Sequence, residues 1–261
     1  MFPPELPPVS NKALYVYRIL MKWLSFFIFG FSSLILGIII FPPLRLVLRS
    51  REQFKRYGRR FVSFYMNVFV SFMHIVGIVN LEAGSREPYL HLSSKIIVAN
   101  HPSLLDIVML LSLIPNADCI VNARLALNII GVVIRQLYIL NSLEFDDLLR
   151  ASSESLDQGN CLIIFPEGTR TPRSEKIILK KGAARISLFC NCGIIPLHIG
   201  GTDKFGLGKR DPWTGFNPRE RYVYRISMGE EIHPEKYLSL SSPAAVKTMT
   251  KELSAFLFPE Y

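Results

Sequence analysis

The chain has 261 residues, 49% of them hydrophobic, with a mean hydropathy of +0.27, a formal charge of +9 and an isoelectric point near 9.5. That length supports one sizeable core rather than several domains, and the hydropathy is high for a wholly soluble protein. The charge requires an anionic partner, either nucleic acid or an acidic lipid surface.

The N-terminal third decides between those partners. Trp23 to Leu44 carries no charge, and as a helix it spans about 33 Å, enough for a hydrocarbon core of about 30 Å. It lacks a small-residue cleavage site and ends in Pro42-Pro43, so it is not read as a removed signal peptide. Behind it come Arg45, Arg49, Arg51, Lys55, Arg56, Arg59 and Arg60 against the single acid Glu52. Anionic lipid and the positive-inside rule favour such a cluster on the cytoplasmic side. Because the densest basic cluster abuts an apolar helix, nucleic acid is set aside and membrane lipid is the expected partner. A second apolar stretch, Phe61 to Val79, is uncharged apart from His74. One spanning or re-entrant helix followed by an aromatic-rich interfacial helix is the expected arrangement, making residues 1–82 a membrane anchor.

Residues 83–94 are polar and turn-rich and read as a linker. Beyond them, strand-like runs (95–99, 118–122, 137–141, 161–165, 193–199 and 222–228) alternate with helix-length segments. This pattern predicts an α/β fold with a mostly parallel sheet flanked by helices, residues 83–261 forming one catalytic domain on the cytoplasmic face. Residues 200–221, rich in Gly, Pro and charge, read as a loop over the site, and residues 243–258 as a closing helix. The four cysteines show no Cys-x-x-Cys spacing. Cys190, Cys192 and His198 could form a metal site, but their spacing fits zinc poorly and buried, reduced thiols are the better reading, so no metal is expected.

Two short segments carry the chemistry. Asn100-His101-Pro102-Ser103-Leu104-Leu105-Asp106 follows the apolar run Ile96-Ile97-Val98-Ala99, and Phe165-Pro166-Glu167-Gly168-Thr169-Arg170 follows Leu162-Ile163-Ile164. Both runs read as buried strands, so both segments should leave the same sheet edge, where open α/β sheets keep their sites. A neutral histidine suits a general base, and an aspartate on its far nitrogen fixes the tautomer and stabilises the imidazolium. Five residues apart on a straight helix the two would diverge by about 140°. His101 must therefore precede the first turn, with Pro102 expected at its first position and Asp106 reaching back. Ser103 is read as a helix-capping residue rather than a nucleophile, since no Gly-x-Ser-x-Gly elbow exists in the chain. In the second segment Gly168 permits close backbone approach, Thr169 can donate and Arg170 can clamp an anion bidentately. Glu167 either orients Arg170 or touches the acceptor.

The two blocks, with their order and separation, resemble the lysophosphatidic acid acyltransferase family of glycerolipid acyltransferases, from about Ile96 to Ile199 and in outline to Pro234. The resemblance implies direct transfer of a fatty acyl group from a thioester to a lysophospholipid hydroxyl, with no acyl-enzyme. The co-substrate would be acyl-CoA or acyl carrier protein, and no further cofactor is needed. It assigns His101 and Asp106 to catalysis and Glu167, Gly168, Thr169, Arg170 and Lys181 (in Lys180-Lys181-Gly182) to the substrate. Pro196, in Gly193-Ile194-Ile195-Pro196-Leu197-His198, would shape an acyl groove. One block departs from the pattern. Where the family has a lysine and then an arginine, this chain has Asn122-Ala123-Arg124 and Leu140-Asn141-Ser142, with Gly131 kept. Arg124 is the expected substitute, with Arg135 nearby. The alternatives carried forward are another single-chain acceptor, such as a lyso-aminolipid, and a non-catalytic lipid-binding scaffold, which would have no need of His101 and Asp106.

Overall fold

The computed structural model describes residues 6–48, 50–128, 130–141, 144–170 and 177–259; Arg49 and Ser142, both singled out above, lie outside the described residues. Helix α1 (Lys12–Leu34) starts at Asn11, whose side chain accepts from the Leu14 amide. Pro42 and Pro43 bring no N–H, so the helix cannot complete its normal ladder one turn earlier. It widens into a π turn over Ile35–Ile40, where Phe41 N–H donates to Leu36 O, and runs on as α2 (Phe41–Val47). Lys12–Val47 is thus a single helical run, long and apolar enough by length and composition to cross a membrane. Phe27, Phe31, Ile38, Ile39, Leu46 and Val47 all lie exposed along it.

Helix α3 (Arg51–Ile75) follows, capped by Ser50. It begins ten residues earlier than the apolar stretch suggested, because the basic cluster forms its first turns. Its buried residues Phe54, Gly58, Val62, Met66, Phe69 and Met73 recur every three or four positions, one face of a helix. That face packs into the core, while Phe61, Phe64 and Val68 remain exposed. Arg59 corrects the sequence reading: it does not face lipid or water but is buried, donating to Asp118 at 2.5 Å. A buried guanidinium needs a paired carboxylate, and Asp118 also accepts from Ser155 at 2.9 Å. Gly77, at φ +74°, turns the chain into the sheet.

Among the described residues seven strands form the sheet: β1 (Val79–Glu82), β2 (Ile96–Ala99), β3 (Ala117–Val121), β4 (Ile139–Leu140), β5 (Cys161–Ile164), β6 (Ile194–Gly201) and β7 (Tyr222–Met228), in the spatial order β1-β7-β6-β2-β5-β3-β4. All neighbours are parallel except β6 and β7, so β1 and β7 run against the other five. Strand β1 lies within the residues assigned to the anchor, which ties that segment to the sheet. The helices between strands are α4 (Glu87–Leu90), α5 (Asp106–Leu113), α6 (Gly131–Leu137), α7 (Phe145–Asp157) and α8 (Gly182–Cys190), with α9 (Ser242–Leu257) last. On one sheet face Ile97 and Leu197 pack with Met109 of α5 and Phe54 and Met73 of α3. On the other, Ile96, Val98, Leu162 and Ile194 pack with Met249 and Leu253 of α9.

Candidate active site

Strands β2 and β5 are neighbours in the middle of the sheet, in register Ile96↔Leu162 to Val98↔Ile164, and every residue of both is buried. Being parallel, they deliver His101 and Phe165–Arg170 to one edge, as the sequence required. Asn100 anchors the first segment: its side chain donates to Ile199 O at 3.0 Å and accepts from Ile199 N at 2.6 Å, stitching the end of β2 to β6.

His101 and Asp106 are in contact, Nδ1 to Oδ2 at 2.8 Å. The local geometry differs from expectation in two respects. Ser103 does not cap the helix, whose N-cap is Leu105 without a side-chain bond. Pro102 is not the first helical residue; α5 starts at Asp106 itself. The preceding turn wraps around the Asp106 carboxylate, which accepts Ser103 N–H at 2.7 Å and the Ser103 hydroxyl at 2.5 Å as well as His101. Those three bonds offset the desolvation of a carboxylate that is fully buried, and its place in the first turn of α5 suits a negative charge. A carboxylate only accepts, so His101 Nδ1 carries the proton and Nε2 presents its lone pair outward. The imidazole is 18% exposed. Its ring stacks on Phe165, with centroids 4.1 Å apart. Ser103 is buried and its hydroxyl hydrogen is spent on Asp106, which fits the rejection of a nucleophilic role.

The second segment grips the first. Glu167 is buried, and its Oε1 accepts the His101 backbone N–H at 2.6 Å. It fixes the chain bearing the base, a contact that neither option weighed from sequence anticipated. Gly168 adopts φ +72°, which a side chain rarely tolerates, with Lys180 lying against its Cα. Arg170 Nη1 donates to Leu207 O at 2.8 Å and Gly208 O at 3.3 Å. Burial lowers its pKa from the ordinary value, opposed by the charges of Asp106 and Asp211. Of the expected loop 200–221, Gly200 and Gly201 belong to β6, and residues 202–221 fold over the site: Leu104 N–H also donates to Leu207 O at 3.0 Å, and a small pocket is lined by Leu104, Arg170, Gly206, Gly208, Lys209 and Trp213.

That loop is held from the far side by α1. The Lys22 ammonium is buried, donating to Trp213 O at 2.7 Å and Gly215 O at 2.5 Å, and the Trp23 and Phe26 rings lie about 6 Å from Trp213. Sequence reasoning passed over Lys22, although a lone lysine immediately before an apolar span was a signal. Two further buried residues, Tyr224 and Lys204, touch this region; nothing local in the sequence marks them.

The remaining expected residues are more dispersed. Thr169 and Lys181 are exposed, Lys181 immediately before α8. Arg124 is exposed on a 3-10 turn, Ala123–Leu127. Arg135 is committed to the Ala126 carbonyl. Asn122 and Asn141 are turn-builders, accepting from Arg124 N at 3.0 Å and Ala123 N at 2.9 Å. Pro196 sits apart, buried on the face covered by α9, where it and Phe256 close around Gly229.

Known proteins resemble this chain in sequence and in fold. A family model described as Acyltransferase matches residues 81–200. The chain is 38% identical over 177 residues to a 1-acyl-sn-glycerol-3-phosphate acyltransferase of Helicobacter pylori, covering 64% of this chain and 68% of that protein. It is 28% identical over 164 residues to a chloroplastic enzyme of the same name from Arabidopsis thaliana, and 27% over 188 residues to one from Brassica napus. The matches span only 44% and 52% of those two plant proteins. Among solved structures, the 1-acyl-sn-glycerophosphate acyltransferase PlsC of Thermotoga maritima superposes with a TM-score of 0.67 at 20% identity, covering 94% of this chain and 98% of that one.

Proposed function

This chain belongs to the 1-acyl-sn-glycerol-3-phosphate acyltransferase family and is an acyltransferase, and we propose that it moves a fatty acyl group from acyl-CoA or acyl carrier protein to a lysophospholipid hydroxyl, most simply that of 1-acylglycerol 3-phosphate, giving phosphatidic acid. The observation that carries this reading is the His101–Asp106 contact at 2.8 Å, on a loop that Glu167 clamps beside Arg170. A non-catalytic lipid scaffold has no use for such a pair.

In the proposed mechanism the acceptor hydroxyl meets His101 Nε2 and loses its proton as its oxygen attacks the thioester carbonyl. The imidazolium so formed is stabilised by Asp106 across Nδ1. Collapse of the tetrahedral intermediate breaks the carbon–sulfur bond, and the proton passes from Nε2 to the departing thiolate. The products are an ester and a free thiol, and no covalent enzyme intermediate arises. Arg170, helped by Gly168, Thr169 and Lys181, holds the acceptor's phosphate, Arg170 keeping one arm on the loop carbonyls. Glu167 serves the site through the His101 backbone.

The protein would work at a membrane. The apolar run through α1 and α2 inserts in the bilayer, and the exposed aromatic face of α3 lies at the interface. Arg45, Arg51, Arg56 and Arg60, all exposed, meet anionic headgroups on the cytoplasmic side.

A second reading is favoured by Asn122 and Asn141, which build turns where the resembled family has cations, and by Arg135, which is spent on Ala126. On that reading the acceptor is another single-chain lipid with less anionic charge, such as a lyso-aminolipid. A mass-spectrometric product screen tests both, using purified full-length protein, both donors and a panel of lysolipids. Phosphatidic acid as the main product supports the first reading; an acylated product from a phosphate-free lysolipid supports the second; no product with any pair rejects both.

A further inference from the structure

The Asp106 carboxylate is held by more than His101, and the extra support comes from a strand far away in sequence. Its Oδ2 serves His101 Nδ1 and Ser103 N–H, while its Oδ1 serves the Ser103 hydroxyl. Ser103 Oγ is also 2.8 Å from Tyr224 Oη on β7. The direction of that second bond follows from counting hydrogens. A serine has one hydroxyl hydrogen, and the carboxylate can only accept, so Ser103 gives its hydrogen to Asp106 and Tyr224 must donate to Ser103. Tyr224 is able to do so at any working pH, because complete burial and the nearby Asp106 charge hold its phenol well above the usual range.

The ring that carries this hydroxyl is fixed in turn. The Lys204 ammonium lies 4.7 Å from the Tyr224 ring centroid. It is buried and donates to Val223 O at 2.8 Å, Gly200 O at 3.3 Å and the Thr202 carbonyl. A cation on the ring face draws electron density from the ring and makes the phenol a stronger donor. Such chains of bonds polarise one another in a low-dielectric interior.

We propose that Tyr224 is a positioning residue for catalysis: by donating to Ser103 it locks the Ser103 hydroxyl onto Oδ1 and so fixes the plane of the Asp106 carboxylate that orients His101. This rests on the assignment of His101 and Asp106 as the catalytic pair. Without the phenol, Ser103 Oγ is a buried acceptor lacking a donor. Ser103 Oγ is then free to shift towards another donor, and its bond no longer holds the carboxylate in one plane against rotation away from His101 Nδ1. The residue touches no substrate, so its loss should appear in the chemical step and not in binding.

The test is steady-state kinetics on the full-length protein in mixed micelles, with the acceptor and donor that the product screen identifies. Tyr224→Phe keeps the ring beneath Lys204 and removes only the hydroxyl. It should lower kcat about tenfold, the scale of one hydrogen bond to a charged network, with KM for both substrates within about twofold. Ser103→Ala should cost at least as much, and the Ser103→Ala/Tyr224→Phe double variant no more than Ser103→Ala alone, since both act through one chain. A kcat for Tyr224→Phe within twofold of wild type, a loss confined to KM, or a fully additive double variant would each overturn the proposal. If Tyr224→Phe does not give a native thermal transition, Ser103→Ala decides: unchanged kcat overturns the proposal, and a kcat loss at constant KM upholds it. The underlying assignment fails separately, by a wild-type-like His101→Ala.

Discussion

Asp106→Asn isolates the charge of the proposed catalytic pair from its shape. In the wild type the carboxylate accepts three bonds, two at Oδ2 and one at Oδ1. An asparagine keeps all the geometry if its carbonyl oxygen faces His101 Nδ1 and Ser103 N–H. Its NH2 then faces Ser103 Oγ, whose hydroxyl must turn about and donate to Tyr224. What disappears is the negative charge. At the transition state an imidazolium forms beside it, with the imidazole 18% exposed and the carboxylate fully buried. Two unit charges about 4 Å apart at an effective dielectric near 20 attract by about 4 kcal/mol. At about 1.4 kcal/mol per decade that is close to three decades in rate, within the range expected when a histidine base loses its carboxylate. The expected outcome is a fall in kcat of about 10³-fold with KM for donor and acceptor little changed, read from initial rates of thiol release with a chromogenic disulfide and verified by product mass. Retention of more than about a tenth of the wild-type kcat, in a protein with a native thermal transition, would refute the reasoning. It would mean that Asp106 only shapes the turn.

Three further outcomes are expected. Arg170→Ala should raise KM for lysophosphatidic acid about 10–150-fold and KM for the acyl donor far less, with Arg170→Lys recovering only part, since lysine is a point charge without the planar fork; equal losses on acceptors with and without phosphate would make Arg170 a purely structural residue. The full-length protein should stay with membranes in about 1 M salt, which screens headgroup contacts but leaves apolar insertion intact; release into the supernatant would mean that α1 and α2 pack only against protein. Lys204 titrates near 8, pulled down from 10.5 by burial against the opposing charge of Asp106. The folded state therefore resists protonating it while the unfolded chain does not, so its unfavourable contribution is present at neutral pH and fades as pH rises from about 8 towards 10.5. Thermal melts across that window should show the wild type gaining stability relative to Lys204→Met, and parallel curves would count against the assignment.

Much of this protein was readable from residues alone, because the signals were local. The runs Ile96–Ala99 and Leu162–Ile164 are apolar throughout, which is how strands buried on both faces must read, and two such strands in one parallel sheet necessarily release their loops on one edge. That logic alone brings the His101 loop to the same sheet edge as Glu167 and Arg170. The uncharged stretch before Pro42-Pro43 announced a long apolar helix for an equally local reason. Tertiary structure decided what depends on partners distant in sequence. Arg59 reads as one more cation for a lipid surface, but in the fold it is buried against Asp118 on β3. The helix start is a local exception: the Asp106 carboxylate gathers donors from His101 and Ser103, a few residues before it, and α5 begins at Asp106 and not at Pro102. Glu167 bonds the His101 backbone, Lys22 fastens the loop that Arg170 grips, and Tyr224 reaches Asp106 through Ser103. Each of these pairings closes a loop of dozens of residues or more. A buried polar side chain has its partner chosen by the packing of the whole core, and no sequence pattern of period two or 3.6 encodes that choice.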